Sequence, residues 1–99
     1  MTPADRAAFI RSCAAGLRPP EGSKARERCE YAAQAVEREA IDLRRVRAAV
    51  DDSLHAVEGW GTHADRMALW AVLAVLDGKY DDARRWLKAA RGETEEQGR

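Results

Sequence analysis

Cys13 and Cys29 are the only cysteines of this 99-residue chain. On facing helices they could bridge, since a disulfide needs Cα atoms within about 7 Å. No CxxC or Cys/His ligand spacing accompanies them, so zinc is not indicated. Two reduced, buried thiols acting as small apolar residues are expected, with the disulfide as the alternative. His55 and His63 are the only histidines, separated by a Gly-Trp-Gly break. Asp51 lies four residues before His55, and Asp52 is close by. Acid–base or metal chemistry would need these groups to converge, and nothing in the spacing brings them together. The expectation is a chain that is no enzyme and holds no metal or cofactor.

Arginine and tryptophan carry a different signal. Arg38, Arg44, Arg45 and Arg47 form a basic stretch. Asp42 stands four residues from Arg38 and Asp51 four from Arg47, the spacing of helical ion pairs. Arg44 and Arg45 have no acidic residue at that spacing. Trp60 lies between two glycines, and Trp86 follows Arg84 and Arg85. Trp and Arg dominate protein-binding hot spots, although large aromatics also fill gaps in an alanine-rich core. Arg44, Arg45, Trp60, Arg84, Arg85 and Trp86 are therefore the candidate partner-binding residues.

The bulk composition excludes several classes. Alanine supplies 20 residues, whereas Leu, Ile, Val and Phe together supply 16. So few bulky aliphatics would suggest disorder if the net charge were large, but 17 basic residues balance 17 acidic ones. Alanine favours helix and lets helices approach closely. With charge balanced along the chain, nucleic acid is an unlikely partner. The longest apolar run, residues 67–76, is half of what a bilayer span requires. Thr2, Pro3 and Asp5 replace the basic and apolar start of a signal peptide, so a cytoplasmic protein is expected.

Four helices are predicted to position these residues. The first begins at a capping box of Thr2 and Asp5 with Pro3 in the first turn, and Pro19-Pro20 stops it. The second covers 23–58, without an internal Gly or Pro. Along it Cys29, Val36, Leu43, Val50 and Val57 recur every seven residues. The apolar line shifts at Glu39 and Ser53 toward Ala40 and Leu54, closer to a straight 3.6 period than to a coiled coil. A long core helix is the main reading, a dimerising seam the alternative, and Ala40 the place where the helix would break. Gly59-Trp60-Gly61 ends it, and Thr62 with Asp65 forms a second capping box. The third helix is apolar all round and so buried on most sides. Asp77-Gly78-Lys79 turns the chain into a fourth helix over 80–91. One domain over 1–91 and a disordered polar tail over 92–99 are expected. Thr2–Ile10 and Thr62–Trp70 share Thr, Ala, Asp, Arg and a second Ala at matching positions, either an old repeat or two uses of one good N-terminus.

Gly78, Tyr80, Ala83, Leu87 and Ala90, preceded by an apolar helix with Trp70 and Ala71, resemble a tetratricopeptide-repeat hairpin over residues 64–90. In that family small residues let two helices touch while large ones fill the angle between them. This sequence departs from the family at Met67, Ala71, Ala74 and Glu95, and carries one copy. The resemblance implies a helical hairpin and a protein-binding habit. Together these readings describe an all-α bundle of three or four helices with a long central helix and a C-terminal tetratricopeptide-like hairpin. Its expected role is that of a non-enzymatic adaptor for another protein, or of a small inhibitor or immunity-type protein encoded by a phage or mobile element. Self-association through the second helix would make it a homodimer.

Overall fold

A computed structural model describes residues 1–17 and 22–92. Pro19-Pro20 and residues 93–99 of the expected tail lie outside them. The described residues form five α-helices and no strand: α1 (Pro3–Ala14), α2 (Ser23–Glu37), α3 (Arg44–Ala56), α4 (His63–Leu76) and α5 (Tyr80–Ala90), with a 3-10 turn at Val57–Gly59. Both capping boxes are present. Thr2 Oγ accepts from the Asp5 amide at 3.1 Å, and Thr62 Oγ accepts from the Asp65 amide at 3.3 Å. Each Asp accepts the N-cap amide in return, which satisfies donors that a helix start otherwise leaves open. The two similar N-termini thus open α1 and α4, and these helices pack against each other.

The expected long central helix is instead two helices. The α2 helix ends in a Schellman motif: the Glu39 amide donates to Val36 O, and the Ala40 amide to Ala35 O, each at 3.0 Å. Glu39 takes the left-handed conformation, φ 54°, that such an ending requires. Glycine usually fills this site because it has no Cβ to clash, so a glutamate there leaves no mark in the sequence. The chain then reverses through 38–43, and α3 packs beside α2. Cys29, Val36, Val50 and Val57 of the seven-residue line are buried within this one chain, and Leu43 is half-buried.

The centre of the molecule is α4, which contacts α1, α3 and α5. Nine of its 14 residues are buried, including Leu69, Val72 and Val75. The α1–α2 and α4–α5 pairs form two hairpins, the second turning at Gly78 with φ 79°. There Ala83 is fully buried against α4, and Tyr80 and Leu87 pack at the edge of the core. Gly61 is required by close approach, because a Cβ would strike Val57 and Asp65. The whole is a thin slab, 40 × 29 × 17 Å. No helix among the described residues is long and apolar enough to cross a membrane.

Candidate functional site: the groove between helices α2 and α3

Breaking the long helix rewires the arginines. Asp42, now in the turn, receives the Arg44 guanidinium at 3.0 Å and the Arg44 amide, rather than pairing with Arg38. These contacts hold its carboxyl below the usual range, aided by the nearby charge of Arg45. Arg47 turns from Asp51 to Asp77, with two bonds of 2.8 and 2.9 Å that tie α3 to the end of α4. Asp51 is left beside its own-helix neighbour His55, whose Nδ1 lies 2.9 Å from the Asp51 carbonyl. His63 is exposed at the start of α4. Among the described residues no group of three or more His, Cys, Asp or Glu is gathered as a metal site would need.

Between α2 and α3 runs an open groove in two stretches. The stretch near the 38–43 turn has a volume of about 380 Å³ and a mostly apolar floor of Ala35, Val46 and Ala49. Tyr31, Arg38 and Arg45 rise around it. The other stretch, about 280 Å³, lies at the opposite end of the pair, between Lys24, Ala25, Ser53, Ala56 and Trp60. Arg28 lines both. Its guanidinium donates to the buried Ser53 hydroxyl at 2.9 Å and to the Ala49 carbonyl at 3.4 Å. Both partners are neutral. Among the described residues no carboxylate lies within 4.0 Å of Lys24, Arg28, Arg38 or Arg45, although several acidic residues on the same helices do make ion pairs. A half-buried, oriented cation with no counter-charge is a ready acceptor for an incoming anion.

The expected binding residues divide between two places. Arg45 and Trp60 stand at opposite ends of this groove. Arg44 is close to the first end but is occupied by Asp42. Arg84, Arg85 and Trp86 are on α5, which contributes no side chain to the groove. Arg84 pairs with Asp81 at 3.0 Å, and Arg85 stands 3.9 Å from Asp82. Trp86 is half-buried with its ring 4.8 Å from that of Trp70, inclined at 56°. This tilted contact packs α5 onto α4.

Sequence reasoning missed Arg28, Tyr31 and Lys24. The test applied to Arg44 and Arg45 would have found Arg28, which has no acidic residue three or four positions away on either side.

Cys13 and Cys29 are free and buried. Desolvation pushes both thiols up to about 12, and at Cys13 the nearby Cys29 adds to the effect. The thiolate needed for reaction is therefore scarce at neutral pH. No family model matches this chain, and no curated protein or solved structure does either.

Proposed function

We propose that this chain is a non-enzymatic protein-binding domain, and that the α2–α3 groove is its contact face. The observation that carries the reading is Arg28, held by Ser53 and Ala49 with no described carboxylate within 4.0 Å, on the wall of an apolar-floored groove. Aromatic and arginine side chains around a desolvated apolar floor are the usual make-up of an interface hot spot. Tyr31 and Ile41, two of the three large apolar residues that are exposed among the described residues, stand on the groove wall and in the turn joining α2 to α3.

Chemical cross-linking in native lysate tests this reading. A partner captured by the wild type should be lost by Arg28→Ala/Arg45→Ala and kept by Arg84→Ala/Arg85→Ala. Loss only in the α5 variant, or in neither, would count against the groove. Light scattering across a concentration series identifies the case in which the captured partner is a second copy of the chain.

A further inference from the structure

We infer that the occupant of the α2–α3 groove is an acidic amphipathic helix from a partner protein, carrying two bulky apolar residues between carboxylates. The inference rests on the groove being a protein-binding face and adds which chemistry fits it. Lys24, Arg28, Arg38 and Arg45 supply four positive charges, and among the described residues the two linings include no acidic side chain. The floor between the cations is apolar. A bare phosphate backbone would satisfy the charges and leave that floor wet, whereas an amphipathic helix satisfies both.

Spacing sharpens the pattern. Arg28 lies on α2 and Arg38 caps its C-terminal end ten residues later, about 15 Å along the helix at 1.5 Å per residue. A helix lying along the groove meets them with carboxylates about ten positions apart. Residues at steps of three and four share a helix face, so the apolar positions between them fall at the third and seventh places. The expected motif is acidic-x-x-Φ-x-x-x-Φ-x-x-acidic, where Φ is Leu, Ile or Phe. A further carboxylate one turn beyond the Arg28 end would meet Lys24, four residues before Arg28. Chain direction is free, because the motif reads the same both ways.

The probe is a labelled peptide of about fifteen residues, two Glu and two Leu in this pattern on an Ala-Gln background, titrated by fluorescence anisotropy. Binding to the intact protein should weaken with added salt. It should fall by about tenfold or more in Arg28→Gln, and likewise in Arg38→Gln/Arg45→Gln, whose side chains are exposed. Replacing both Leu by Ala should cause a similar loss. Failure of the peptide to bind, equal binding of a Lys-for-Glu peptide, or indifference to both variants would overturn the inference. Tighter binding of a single-stranded oligonucleotide, lost in the same variants, would overturn it in favour of nucleic acid. If the peptide fails while the groove variant still loses its cross-linked partner, only the occupant is wrong. If both fail, the protein-binding reading falls too.

Discussion

Helices α3 and α4 lie side by side and differ by one residue in length, yet α4 buries nine residues and α3 only Val50 and Ser53. Their compositions differ: α4 carries one arginine and one aspartate, runs ten apolar residues together and is enclosed by three neighbours, whereas α3 spaces its apolar residues among three arginines and two aspartates. Burial of apolar area is the main favourable contribution to folding, so α4 contributes more to the stability of this domain than α3 does. The α3 helix is retained by one narrow stripe and by the Arg47–Asp77 link. Its other face, with α2, is left open. With only 16 Leu, Ile, Val and Phe residues, this protein has little apolar surface to spare, and the apolar floor between α2 and α3 is left uncovered by the described residues.

Substitutions can break that comparison. The largest expected effect is at Leu69, fully buried in α4. Leu69→Ala should destabilise by about 2–5 kcal/mol in denaturant unfolding, whereas Val46→Ala on the groove floor should destabilise by less than about 1 kcal/mol, because a partly exposed side chain leaves no closed cavity. Equal losses would mean that α3 is as much a part of the core as α4.

A smaller effect of opposite sign is expected at the turn between α2 and α3. Glu39→Gly relieves the left-handed strain and should raise stability by up to about 1 kcal/mol, offset partly by the freedom glycine gains on unfolding. A destabilised variant would show that the glutamate side chain contributes something beyond the turn.

The smallest effect concerns pH. Bonding to Arg47 lowers the Asp77 carboxyl below its ordinary value. In acid the unfolded chain therefore binds a proton here before the folded one does. The contribution is present above about pH 4 and is lost as pH falls through the lower folded value. Thermal unfolding from pH 7 to pH 3 should show wild type losing more stability than Asp77→Asn. Since both side chains are partly exposed, the difference should stay under about 1 kcal/mol.

Much of the architecture was legible because it depends on local physics. The Thr2–Asp5 and Thr62–Asp65 boxes, the Gly78 turn and the all-round apolarity of α4 are each written in a few consecutive residues. The α2–α3 break was hidden for an equally local reason: its left-handed residue is Glu39, and the absence of Gly and Pro reads as continuity. The one trace was the shift of the apolar line near Ala40. From that single misreading followed the wrong partner for Arg38, since Arg38 and Asp42, assigned to successive turns of one helix, in fact lie in the reversal. Arg47 and Asp51 do share α3, and there it was the packing of α3 on α4 that brought Asp77 within reach of Arg47. Trp86 was ambiguous for a different reason. Periodicity places a residue on a stripe but does not say how wide the covered face is, and Trp70 covers it.

By itself the sequence determined the helical class, the starts of four helices (α1, α2, α4 and α5), the ends of α4 and α5, and the burial of α4, because capping and apolar periodicity act over a few residues. Tertiary structure alone decided which cations keep a counter-charge. Ion pairing depends on which helices become neighbours, and α2 and α3 become neighbours only through the turn at Glu39. That reversal brings Arg28, Arg38 and Arg45 around one apolar floor.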